Sequence, residues 1–205
     1  NRALTEALEL LALRNGVHEG DAPVFGQVLF AAPDVDAGLF REMLPTIRPL
    51  AERLTLYASD QDWALVASRK LHGNMPRAGI GGQDTLADPN IDSIDMSELG
   101  EDMLMHSYFA DDSSAMADMM TLFGFNVAPQ RRCGLIEEDR QGQAVPVWDY
   151  RRGVCADRSL IGVLAGMQRE GIQSPEEAHQ IVRSMVIDPA IAARLLPVVD
   201  RIVSN

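Results

Sequence analysis

Long hydrophobic runs are missing from this chain. Nowhere do 18 apolar residues follow one another, so no segment has the makings of a membrane-spanning helix. Basic residues are scarce: 18 Lys+Arg stand against 30 Asp+Glu, a formal net charge of −12. That balance excludes a phosphate-coating surface, which needs clustered Lys and Arg, and no nucleic-acid partner is expected. Cysteine is nearly absent. Cys133 and Cys155 cannot build a zinc site alone, and they read as two ordinary thiols in preference to a bridge. The pair does not fix a redox compartment. No histidine has another within two to four residues, so no metal-ligand spacing occurs, and no metal or cofactor is expected. Repeats and low-complexity tracts are also lacking. The glycines of Arg77-Ala78-Gly79-Ile80-Gly81-Gly82 lack the G-x-G-x-x-G spacing, a following Lys-Ser/Thr and a preceding strand. Nucleotide binding is discounted on that ground, and the loop reads as mobile.

What the chain does have is the composition of a globular protein. Its 205 residues are 46% hydrophobic and 23% charged, enough to bury a core. Leu4, Ala7, Leu8 and Leu11 fall at helical spacing, with Asn15-Gly16 as a stop. The apolar run Phe25–Ala32, ending at Pro33-Asp34, predicts a buried strand. Asp36 is placed to cap a helix through Leu39, Phe40 and Met43, interrupted by Pro45 and Pro49. Leu54–Ala58 predicts a second buried strand, followed by the polar loop Ser59-Asp60-Gln61-Asp62 and a helix over Trp63–Leu71. Ile91–Met96 alternates and predicts a shorter or edge strand. A helix follows around Ser113–Phe123, in which Met116, Met119 and Met120, like Met103 and Met105 before it, read as core filler. Cys133–Glu138 and Ala144–Tyr150 suggest a hairpin, and Ser159–Gly171 a helix. Ser174-Pro175-Glu176-Glu177 and Asp188-Pro189 open two more helices with cap-then-proline signals.

The alternation of helix and strand predicts an α/β layered sheet, with ligands gathering outside the carboxyl ends of its strands. Asp34, Asp36, Asp60 and Asp62 lie just past predicted strand ends, and His106 lies beyond the third strand. Position alone nominates them, and an unremarkable loop aspartate remains the commoner case.

Four blocks say more: Phe25-Gly-Gln-Val-Leu-Phe-Ala-Ala-Pro-Asp-Val-Asp36, Leu54-Thr-Leu-Tyr-Ala-Ser-Asp-Gln-Asp-Trp-Ala-Leu65, Ser68-Arg69-Lys70-Leu71-His72-Gly73 and His106-Ser107-Tyr108-Phe109. In this order the chain resembles, over residues 1 to about 123, a bacterial α/β-hydrolase family once catalogued as a domain of unknown function, with esterase- and lipase-like members. The resemblance implies a partial α/β-hydrolase fold: a doubly wound, mostly parallel sheet with a helical C-terminal extension. It implies a serine-type ester hydrolase with Asp62 as triad acid, Asp60 as fallback and His106 as base, in the chain order Ser…Asp…His. Asp34 and Asp36 stand behind them as helix caps.

In that family a Gly-x-Ser-x-Gly turn stands just before an opening like Asn1-Arg2-Ala3-Leu4, so the nucleophile is expected upstream of Asn1. Ser59 and Ser107 do not replace it, since neither sits on such a turn. The chain alone is then expected to be inactive. The alternative is a non-catalytic binding or scaffolding module that keeps the hydrolase fold. Three parts are expected: 1–123, the C-terminal half of the hydrolase-like domain; 124–156, a connecting segment with a hairpin; and 157–205, a helical extension. The flank of Phe25–Ala32 is expected to be covered by an N-terminal part of the same protein or by a second copy, and the substrate to be a small ester.

Overall fold

The computed structural model describes residues 2–71, 73–100, 112–140, 142–143, 145–155 and 157–204. The chain divides into two compact units: residues 1–106 with 136–150, and residues 107–135 with 151–205. These units cut the chain elsewhere than the sequence reading did. The hairpin joins the sheet unit, and the helix after Ser113 joins the helical one.

In the sheet unit, strands β1 (Phe25–Ala31), β2 (Ala51–Ala58), β3 (Asp92–Asp95), β4 (Leu135–Glu138) and β5 (Val147–Tyr150) lie in the order β1-β2-β3-β5-β4. The pairs β1–β2, β2–β3 and β3–β5 are parallel, with Val28 opposite Leu54, Leu56 opposite Ser93, and Ile94 opposite Trp148. Every residue from Leu54 to Ala58 is buried, as a strand covered on both faces requires. In β1 only Val28 and Phe30 are buried, and this strand stands at a margin of the sheet. The Ile91–Met96 strand is interior rather than an edge, because β5 pairs beyond it.

Helices α1 (Arg2–Asn15), α2 (Ala37–Ile47) and α3 (Trp63–Leu71) belong to this unit. On α1 the buried residues are Thr5, Leu8 and Ala12, so the face is turned from the expected one and Leu4 is exposed. On α2, Phe40, Met43, Leu44 and Ile47 keep the i, i+3, i+4, i+7 spacing of a core face. Phe30 meets Phe40 edge-on, ring centroids 5.1 Å apart, joining β1 to α2. Asp36 caps α2 by accepting from the Leu39 N–H, as expected, but Pro45 does not end the helix, which runs on to Ile47.

The helical unit contains α4 (Ser113–Phe125), α5 (Arg158–Glu170), α6 (Pro175–Met185) and α7 (Pro189–Val203), with α4 against α5, α5 against α6 and α6 against α7. Its core includes Leu160, Val163, Leu164, Met167, Val182 and Val199. Each helix begins on a side-chain cap: Asp112, Asp157, Ser174 and Asp188 accept from backbone N–H groups of their first turns. The methionines of α4 are half-buried; its fully buried residues include Ala115, Ala117, Asp118 and Leu122. Asp118 is there to meet Arg132 in an ion pair with neither side chain exposed. Cys133 and Cys155 are joined in a disulfide, Cα atoms 6.1 Å apart, which corrects the reading of two free thiols. Their 22-residue separation gave no sign that the turns after Arg132 and Arg151 fold side by side, the Arg151 N–H donating to the Gly134 carbonyl.

Candidate active site at the carboxyl ends of the strands

Parallel pairing of β1, β2 and β3 puts the loops that follow them at one end of the sheet. Asp34, Asp60, Asp62 and Asp95 therefore share that end, and their surroundings give them different tasks.

Asp34 is spent. It accepts from Ser68 Oγ at 2.8 and 2.9 Å and from Arg77 Nε at 2.7 Å, tying β1 to α3 and to the following loop. Asp36 is spent on its helix cap. Asp60 is exposed, its Oδ1 accepting from its neighbour Gln61, while its backbone N–H donates to Ser97 Oγ at 3.0 Å.

Asp62 is different. It is 4% exposed, and its Oδ1 accepts from the Ala64 and Leu65 N–H groups at 2.9 and 3.2 Å, capping α3. Its Oδ2 is buried with no hydrogen-bond partner among the described residues. Burial pushes its carboxyl above the usual carboxylate range; the two backbone hydrogen bonds oppose this, and the charge of Asp34 adds to it. A helix cap needs only one oxygen. The second is held away from water, where an unsatisfied acceptor costs free energy. His106 lies outside the described residues, as do His72 and Ser107.

The loop read as mobile is instead packed across this end. Residues 78–81 are buried. The Gly79 N–H donates to the Pro33 carbonyl and the Gly79 carbonyl accepts from the Ser59 N–H, so one residue bridges the loops after β1 and β2. A Cβ on Gly79 would lie 2.5 Å from the Ala32 carbonyl carbon, and one on Gly81 2.7 Å from Ser59 Cα. Close approach, rather than freedom, requires these glycines. The N–H groups of Gly79, Ile80 and Gly82 are all used inside the fold.

Sequence reasoning passed over Asp95 and Arg140. Asp95, at the end of β3, accepts from Gly82 N–H at 2.8 Å, Ser97 N–H at 3.0 Å, Ser97 Oγ, and Arg140 Nη2 at 3.0 Å. Arg140 also reaches Asp149 at 2.8 Å and the Gly82 carbonyl. The available signal was an aspartate at the carboxyl end of the alternating Ile91–Met96 run, the end of a strand where ligands gather.

A mostly parallel sheet with a buried acid on the loop after an interior strand is the arrangement that a protein of the α/β-hydrolase class has. The comparison with known families agrees: the model described as "Alpha/beta hydrolase of unknown function (DUF900)" matches residues 1–123, and the chain belongs to that family. No curated protein and no solved structure matches the chain.

Proposed function

We propose that the chain supplies the acid and base of a serine-type carboxylester hydrolase, Asp62 as acid and His106 as base. The observation that carries this reading is the buried Oδ2 of Asp62, past the end of β2 and without a partner among the described residues. An acid that orients an imidazole needs one oxygen fixed by the protein and the other free for the ring N–H. Asp62 has that division, whereas Asp60, the fallback, is exposed and bonded to Gln61.

In this reading the nucleophilic serine stands on a Gly-x-Ser-x-Gly turn upstream of Asn1. Its Oγ attacks the ester carbonyl carbon while His106 takes its proton. Backbone N–H groups hold the oxyanion, and His106 returns the proton to the departing alcohol. Water then repeats the sequence on the acyl-enzyme, releasing the acid and free serine. Asp62 stabilises the imidazolium in both halves. The proposed substrate is a small ester. The proposed partner is an N-terminal part of the same protein or a second copy, pairing with the outer edge of β1; the position of β1 at the sheet margin supports this.

Labelling of the full-length protein with a fluorophosphonate tests the proposal. Wild type is expected to label, and His106→Ala and Asp62→Asn to lose most of the signal. Undiminished labelling in both would return Asp62 to a plain helix cap and remove both residues from the mechanism.

A further inference from the structure

We propose that Arg140 and Asp95 are positioning residues for Asp62, acting through Ser97 and the Gly79–Gly82 strap. This rests on the reading of Asp62 as the triad acid.

The path is continuous in hydrogen bonds. Arg140 comes from the turn between β4 and β5, far along the chain from Asp62, yet its guanidinium joins three segments: Asp149 on β5, Asp95 on β3 and the Gly82 carbonyl of the strap. Asp95 passes the connection on, since its Oδ2 also accepts from Gly82 N–H and its Oδ1 holds Ser97 by backbone and hydroxyl. Ser97 Oγ accepts from Asp60 N–H, two residues before Asp62. From its other end the strap reaches the same loop, where the Gly79 carbonyl accepts from Ser59 N–H. Gly81 packs where a Cβ would sit 2.8 Å from both Asp95 Oδ1 and Ser97 Oγ. The acid loop is therefore gripped at Ser59 and at Asp60.

The grip depends on charge. The Arg140 and Asp95 side chains are 10% and 8% exposed, so their interaction is little screened. Asp149 is pushed above the usual carboxylate range, first by burial and then by the neighbouring Asp95 charge, with Arg140 opposing both. Without the guanidinium, the buried Asp95 carboxylate and the half-buried Asp149 carboxylate would face each other across β3 and β5, and the Gly82 carbonyl of the strap would lose its donor.

The test is the titration of the Asp62 carboxyl, followed by carbon NMR of the full-length protein with labelled aspartate, in wild type, Arg140→Gln, Arg140→Lys and Ser97→Ala. With melting curves matching wild type, Arg140→Gln and Ser97→Ala are expected to lower the Asp62 midpoint, because a loosened loop admits water. Arg140→Lys is expected to restore part of the difference. A midpoint that coincides with wild type in both Arg140→Gln and Ser97→Ala overturns the proposal. If Arg140→Gln does not fold, Ser97→Ala decides alone, since it removes one hydroxyl and no charge. Fluorophosphonate labelling of the same variants separates this idea from the hydrolase reading. A roughly 10²-fold slower reaction is expected for a displaced acid. Unlabelled wild type with a moving midpoint would sink the hydrolase reading and keep the grip. Labelled wild type with an unmoved midpoint would do the reverse.

Discussion

The two compact units use their acids differently. In the helical unit, Asp112, Asp157 and Asp188 cap helices with backbone N–H groups, and Asp118 is paired with a buried arginine. In the sheet unit, Asp34 and Asp95 are likewise fully engaged, but Asp62 keeps a buried oxygen without a partner among the described residues. Acids that build structure have their hydrogen bonds completed. An acid left incomplete in a dry place costs stability, and that cost marks Asp62 as the carboxylate to test.

Substitutions break or sharpen this contrast, the largest effect first. Asp62→Asn in the full-length protein is expected to lower ester turnover by about 10⁴-fold, since an amide no longer fixes the imidazole tautomer; steady-state kinetics on a chromogenic ester measures it. Asp118→Ala removes the buried carboxylate that Arg132 meets in the core of the helical unit and is expected to cost about 3–5 kcal/mol in denaturant unfolding. Replacing Cys133 and Cys155 together by serine opens a loop of 22 residues, with an expected loss of about 3 kcal/mol by the same measurement. Asp188→Ala removes the cap of α7 and is expected to cost about 1 kcal/mol.

The smallest effect has the opposite sign. Burial raises the proton affinity of Asp62 in the folded state, so the stability it contributes is complete below the ordinary carboxylate range and disappears as pH rises through the raised value. At neutral pH the ionised group therefore weakens the fold. Asp62→Asn is expected to melt slightly above wild type there, and the gap to close in acid. A variant that melts below wild type at neutral pH would mean that the charge gains more from its partner than burial costs it.

Much of the sheet was legible in the sequence. β1 and β2 stand where their apolar runs end at Pro33-Asp34 and Ser59, and both hairpin strands lie within their predicted segments. Asp36, Ser174 and Asp188 cap as their local chemistry demands, because a cap is settled within three or four residues. What escaped were relations over distance. β5 beside β3, the Cys133–Cys155 bridge, the Asp118–Arg132 pair and the Arg140 grip join segments whose meeting is set by packing, which no local pattern encodes. The Gly79–Gly82 loop misled for the same reason. Glycine signals freedom in isolation and close approach in a fold, and only the neighbouring Ala32 and Ser59 backbones decide which. At the candidate site, the position of Asp62 past the end of β2 was legible, but its unequal oxygens were not.

Nitrogen NMR of His106 in the full-length protein probes the central pairing most directly, with wild type and Asp62→Asn titrated side by side. A carboxylate against the ring holds the imidazolium form, so the wild-type midpoint is expected to lie above that of the variant, with one ring N–H kept in slow exchange. Identical titrations in the two proteins would show that Asp62 and His106 never meet.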